Sequence, residues 1–185
     1  MSLGGRGSGG GKCPPPVKSD FGEYADRLFA ILADNMSKIA PTGNTREEDY
    51  KTWNEAVGEG LQSESRQIVL ITDEGDERVI GFFQYYANED TFMMEEVQIA
   101  AEYQGVNNIF RNLYRFVFAN LHANIVFVEA YANKLNHKSG GILKRMGLKA
   151  VGANNSGTCI HYRGKYCDLL RWHSGKSQDW AREWT

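Results

Sequence analysis

Two adjacent carboxylates, Glu95-Glu96, open a run that continues Val97-Gln98-Ile99-Ala100-Ala101-Glu102-Tyr103-Gln104-Gly105-Val106-Asn107-Asn108-Ile109. These residue types offer two kinds of chemistry. A carboxylate whose charge is disfavoured by burial serves as a general base near neutral pH. A strand that runs into a short turn and then a helix presents unpaired backbone N–H groups, reinforced by the helix dipole, to an anion such as a phosphate. Neighbouring residues of a regular strand point to opposite faces, so at most one of Glu95 and Glu96 reaches a given cleft unless a bulge intervenes.

The elements that position these groups are read from apolar spacing. Ile109, Phe110, Leu113, Phe116, Val117 and Leu121 recur at helical steps, with Arg111, Asn112, Arg115 and Asn120 on the other face. Ile125-Val126-Phe127-Val128 then reads as a buried strand, which makes strand, helix and strand one crossover unit. A further helix follows, with Asn136 as N-cap, Ile142, Leu143 and Met146 on one face, and Gly147 where a helix ends in left-handed backbone.

Upstream, Phe21, Tyr24, Leu28, Ile31, Leu32 and Met36 mark a first helix that stops before Pro41. Thr45 and Glu48 form a capping box ahead of a second, whose inner face is Tyr50, Trp53, Val57 and Leu61. Strands are expected at 66–72, 79–86 and 92–100, the first two joined by the polar turn 73–77. A closing hairpin is expected from 158–163 and 166–172, turning at Gly164-Lys165. That reading places Cys159 and Cys167 on neighbouring strands.

Residues 1–16 are rich in glycine and proline and read as a disordered tail; 17–185 is read as one domain. A formal charge of −2 argues against a general nucleic-acid binder, which needs a concentrated basic surface. No run of about 18 apolar residues offers a membrane span. Cys13, Cys159 and Cys167 are few, odd in number and not at metal-binding spacing, so the chain reads as reduced and cytoplasmic. His122, His137 and His173 have no partner at ligand spacing, and no metal is assigned.

Three segments carry a resemblance to the GNAT superfamily of acyl-coenzyme A dependent N-acetyltransferases, over residues 64–173. Val97-Gln98-Ile99 with Glu102-Tyr103-Gln104-Gly105 resembles the family's fourth strand and pyrophosphate loop. Ala132-Asn133-Lys134-Leu135-Asn136-His137-Lys138-Ser139, closing on Met146-Gly147-Leu148, is similar to its Asn-x-x-Ser helix. Tyr162-Arg163-Gly164-Lys165-Tyr166-Cys167-Asp168-Leu169-Leu170 resembles the closing hairpin of the branch that includes the ribosomal-protein N-terminal acetyltransferases. Two departures stand out. Asn107 and Ile109 occupy the loop's glycine and Gly/Ala positions, and Leu143 falls where many members have a proton-donating tyrosine. Val17-Lys18-Ser19 is also too short and polar for the strand the family places before its first helix.

The resemblance implies an α/β (α+β) fold: a mixed, largely antiparallel twisted sheet with a central crossover and flanking helices. It implies acetyl transfer from acetyl-CoA to a primary amine, a protein N-terminus or a small amine, by a monomer or homodimer. The backbone of Val97, Gln98 and Ile99 would lie beside the pantetheine arm. Gln104, Gly105, Val106, Asn107, Asn108 and Ile109 would hold the pyrophosphate. Asn133, Asn136 and Ser139 would line the arm's other side, although Asn136 and Ser139 also read as simple helix capping.

For the base, Glu95 is favoured over Glu96, with His161 behind them. Ser139 or water would stabilise the leaving thiolate in place of the missing tyrosine. Tyr85, Tyr86 and Phe92 are candidates to wall the acceptor site, with 39–44 and 86–91 as its loops. A catalytically silent GNAT-fold acyl-CoA-binding or interaction module, suggested by Asn107, Ile109 and Leu143, is the alternative. A nucleotide binder with a different phosphate in the 104–109 turn is more remote, because the full glycine fingerprint is missing.

Overall fold

The computed structural model describes residues 21–63, 66–73, 78–105, 109–121 and 124–175. The 1–16 tail with Cys13, the stretch Val17-Lys18-Ser19, His122, and the pyrophosphate-loop candidates Val106, Asn107 and Asn108 lie outside the described residues. In chain order the elements are α1 (Phe21–Met36), α2 (Arg46–Leu61), β1 (Arg66–Thr72), β2 (Val79–Asn88), β3 (Thr91–Ile99), a 3-10 turn (Ala101–Tyr103), α3 (Ile109–Ala119), β4 (Phe127–Asn133), α4 (His137–Arg145), β5 (Lys149–Ala153), β6 (Cys159–Lys165) and α5 (Tyr166–His173). The sheet runs β1-β2-β3-β4-β6-β5 and is antiparallel except where β3 meets β4. Among the described residues, no helix is long and apolar enough to cross a membrane.

Period-two alternation divides the core into two layers. Val69 and Ile71 of β1, with Phe83, Phe92 and Val128, pack beneath Leu113 and Val117 of α3, Leu143 of α4 and Leu169 of α5. Ile68 and Leu70, with Phe82, pack on the opposite face against Leu28 and Ile31 of α1 and Val57 and Leu61 of α2. The two covers are unequal. Helices α1 and α2 lie over β1, β2 and β3, and Tyr131 of β4 is 44% exposed on the stretch of that face they leave open.

The helix starts follow local chemistry. Thr45 accepts from the Glu48 N–H while the Glu48 side chain accepts from the Thr45 N–H, the expected capping box at α2. The Asn136 side chain accepts from the Ser139 N–H at α4, which ends at Gly147 with φ +93°.

Two expectations are corrected. Residues 166–173 form helix α5, so there is no strand at 166–172 and Cys167 sits on a helix, exposed. Tyr166, Leu169 and His173 recur at helical spacing, and burying Leu169 beneath the sheet favours the helix. The closing hairpin is instead β5 with β6, from Lys149↔Arg163 to Ala153↔Ile160. Strand β4 also begins at Phe127 rather than at Ile125. The N–H groups of Val126 and Phe127 both donate to the Asp90 carbonyl, at 2.7 and 3.0 Å, which pins this approach to the tip of the β2–β3 hairpin and leaves Val126 half exposed.

Candidate functional site

Strands β3 and β4 pair in parallel only from Thr91↔Phe127 to Met94↔Ala130. Beyond that point β3 continues along β2 to Ile99, and β4 continues along β6 to Asn133. The cause is an extra residue. Gln84 of β2 pairs with Glu96 and Tyr85 with Met94, so Glu95 is bulged out of register. A bulge bends its strand and sharpens the local twist, and here it parts the two parallel neighbours. Backbone groups of 95–99 and 131–133 are thereby turned toward the gap instead of toward each other.

The same bulge answers the question of facing. Glu95 Oε1 is ion-paired with Arg66 of β1 at 2.5 Å, and Glu95 Oε2 accepts from Gln84 Nε2 at 2.9 Å. Glu96 Oε1 accepts from Gln98 Nε2 at 2.7 Å, and Gln98 is held by Asn35 of α1. Both carboxylates therefore occupy the α1/α2 face, which a regular strand would not allow and the bulge does. They differ in environment. Loss of water around Glu96, then the nearby charge of Glu95, outweigh the Gln98 hydrogen bond and push Glu96 from 4.5 up to about 7.

Next to this pair a cavity of about 200 Å³ is lined by Tyr86, Met93, Met94, Glu95 and Tyr131. Tyr86 lines the cavity together with Glu95, and burial, then the charge of Glu95, raises its hydroxyl above the usual phenol range. Of the three aromatics considered for the acceptor wall, Tyr86 reaches this cavity, while Tyr85 and Phe92 are core residues of the opposite layer. His161 stacks on Tyr131 with ring centroids 4.5 Å apart. Its Nε2 lies 2.9 Å from Glu129 Oε2, and the other Glu129 oxygen is 3.2 Å from Arg163 Nε.

The turn ahead of α3 contributes differently from residue to residue. Gly105 has φ +82°, and among the described residues a Cβ built there would meet nothing within 4 Å. Gln104 donates to the Ile99 carbonyl at 3.0 Å, and Lys138 of α4 donates to Gln104 Oε1 at 2.9 Å, which brings an ammonium to the residue before Gly105. Ile109 is 5% exposed and belongs to the core beneath α3. Its side chain is spent on that core.

Val97 and Ile99 pack their side chains on the larger core cluster while Gln98 is buried toward α1, which leaves their backbone for the gap. Asn133 accepts from the Leu135 N–H at 2.9 Å and Asn136 from the Ser139 N–H at 3.0 Å. Each asparagine keeps its amide N–H groups for other partners. Leu143 is a core residue.

Sequence reasoning passed over Asn35, Arg66, Gln84, Glu129, Tyr131 and Arg163. For β4 a signal existed: Val128, Ala130 and Ala132 are buried while Glu129 and Tyr131 alternate with them. Asn35, Arg66 and Gln84 carry no such signal, because only the sheet register and the α1 crossing bring them in.

No protein-family model and no curated protein matches the chain. Solved structures do. It superposes on the PaiA N-acetyltransferase of Thermoplasma acidophilum in complex with coenzyme A at TM-score 0.65 and 14% identity, over 85% of this chain and 99% of that one. An acetyltransferase from Thermus thermophilus gives 0.62 at 16% identity, over 84% and 96%. FdhC, a nucleotide-linked sugar GNAT, gives 0.60 at 13% identity, over 91% and 93%. At such identities the likeness is one of architecture, and the chain has the fold of the GNAT acetyltransferases.

Proposed function

We propose that this protein is an N-acetyltransferase that moves the acetyl group of acetyl-CoA onto a primary amine. The observation that carries the reading is the bulge at Glu95, which opens the gap between β3 and β4 and turns Glu96 onto the face that holds the cavity. When bound, acetyl-CoA supplies an acyl thioester. The residues present suit it: the uncrowded Gly105, with the Lys138 ammonium bonded to the adjacent Gln104 side chain, suits a pyrophosphate. The parted strands fit an extended pantetheine arm, with free amide N–H groups on Asn133 and Asn136 at its far side.

Within this site the protein positions groups more than it reacts. A backbone N–H of Val97, Gln98 or Ile99 polarises the thioester oxygen. Glu96 takes the proton of the acceptor's ammonium, directly or through one water, as a base tuned to about 7 does best at neutral pH. The freed nitrogen forms the C–N bond as the C–S bond breaks, and the Ser139 hydroxyl or water hydrogen-bonds to the departing thiolate. Glu95, spent on Arg66 and Gln84, fixes the bulge and raises its neighbour. This assignment reverses the order in which sequence alone ranked the two. His161 is held by Glu129, and with Tyr131 it forms a polar wall for the acceptor.

The acceptor is a protein N-terminus or a small amine that places an apolar body against Met93, Met94 and the two tyrosines. With 166–173 helical, that segment lends no support to the ribosomal-protein branch in particular. Ile109 is a core residue, so its side chain gives no support to the silent-module reading, whereas Leu143 offers no proton donor and the thiolate must be met by Ser139 or water. The test is release of free thiol from acetyl-CoA across a panel of amines and N-terminal peptides. Amine-dependent release is expected. Binding of acetyl-CoA with no release for any acceptor would favour the silent module.

A further inference from the structure

Four side-chain hydrogen bonds join the turn to Glu96 in one unbroken chain. The Lys138 ammonium donates to Gln104 Oε1 at 2.9 Å, Gln104 Nε2 to Asn35 Oδ1 at 3.1 Å, Asn35 Nδ2 to Gln98 Oε1 at 2.7 Å, and Gln98 Nε2 to Glu96 Oε1 at 2.7 Å. The chain crosses α4, the turn, α1 and β3. Its direction is fixed by chemistry. An ammonium only donates and a carboxylate only accepts, so the two ends set the outer amides. In the middle, the Ile99 carbonyl accepts from both Asn35 Nδ2 and Gln104 Nε2, each at 3.0 Å. A carbonyl cannot donate, so both amide groups must turn their N–H₂ toward it. Three carboxamide dipoles are thus aligned from a cation to an anion, an arrangement in which each bond polarises the next.

We infer that Asn35, Gln98 and Gln104 are positioning residues, a polarised relay through which a diphosphate bound at Gly105 and Lys138 controls the proton affinity of Glu96. The inference rests on the acetyltransferase reading for the identity of the ligand. A diphosphate at Gly105 offers Lys138 a stronger partner than the Gln104 carbonyl. Once Lys138 turns to it, Gln104 is less polarised and every later donor weakens, the last being the Gln98 N–H on Glu96. Glu96 then holds a proton more firmly, so the base gains strength only when the acyl donor is in place. The other groups facing Glu96 cannot substitute for this control. Glu95 beside it is bound to Arg66 of β1, while β2 and α1 present the neutral Gln84 and Asn35.

The full-length protein would be labelled with ¹³C-glutamate and the Glu96 carboxyl resonance, identified by its loss in Glu96→Gln, titrated with and without coenzyme A. In the wild type, coenzyme A is expected to raise the midpoint by at least about 0.3 pH unit. Asn35→Leu, which cuts the relay, should raise the midpoint of the free protein by at least about half a unit and reduce the coenzyme A response to less than about 0.1 unit. Lys138→Met, at an exposed position where folding is not at risk, should likewise abolish the response. An Asn35→Leu midpoint equal to wild type, or an equal coenzyme A response in wild type and Lys138→Met, overturns the relay. Calorimetry separates this from the functional reading: if coenzyme A does not bind, that reading fails, and the Asn35→Leu midpoint of the free protein still decides whether the relay exists.

Discussion

The role proposed for Glu96 sets two requirements against each other. A base near neutral pH needs its charge disfavoured, and disfavouring a charge in the fold costs stability. An unfolded glutamate titrates near 4.5, whereas Glu96 titrates at about 7. Between those values the folded protein binds more protons than the unfolded chain. Stability therefore falls as pH rises from about 4.5 to about 7, and the penalty is complete above that. The penalty is at most about 3 kcal/mol, and less to the extent that water still reaches the carboxylate. Glu96→Gln should thus raise the melting temperature by a few degrees at pH 8 and leave it unchanged at pH 4, as calorimetry at the two pH values would show. Equal melting temperatures at pH 8 would mean that Glu96 is not held out of water.

At the scale of elements, the turn and the helix after it divide the work between backbone and core. Ile109 looks like a misfit for a phosphate loop when only loop patterns are compared, yet its side chain fills the core under α3. Ile109→Gly should therefore cost about 3 kcal/mol in a denaturant melt, from the cavity and the added chain freedom, and should not tighten acetyl-CoA binding. Gly105→Val acts in the opposite sense. It forces a β-branched residue to φ +82° at the edge of the site and should weaken acetyl-CoA at least tenfold by calorimetry, about 1.4 kcal/mol.

The same elements show what the sequence could reveal. Capping at Thr45 and Asn136, the glycine stop at Gly147 and the periodicity of α3 are local signals, and each is where local chemistry puts it. The Glu95 bulge is not local, since it exists only relative to Gln84 and Tyr85 of another strand. Helix α5 was legible in the spacing of Tyr166, Leu169 and His173, but short β-prone residues at 160–170 masked it. What could not be read was which face each carboxylate would take, because one inserted residue reverses the alternation.

For the whole molecule, the decisive feature is an unequal sandwich. Helices α3, α4 and α5 back one face of the sheet, whereas α1 and α2 cover only the β1–β3 part of the other. The open remainder carries Glu129, Tyr131, His161 and Arg163 beside the cavity at Tyr86 and Glu95. A ligand held between the parted strands from the α3 and α4 side would meet an acceptor arriving on this open side, where Glu95 lines the cavity and Glu96 follows it on the same face. The role proposed for Glu96 is best tested by the pH dependence of turnover for the best amine in the panel, in wild type, Glu96→Gln and Glu95→Gln. The wild-type rate should climb through about pH 7, the limb should be absent in Glu96→Gln with turnover down about a hundredfold, and it should be retained in Glu95→Gln. A limb that survives Glu96→Gln and vanishes with Glu95→Gln would contradict the assignment.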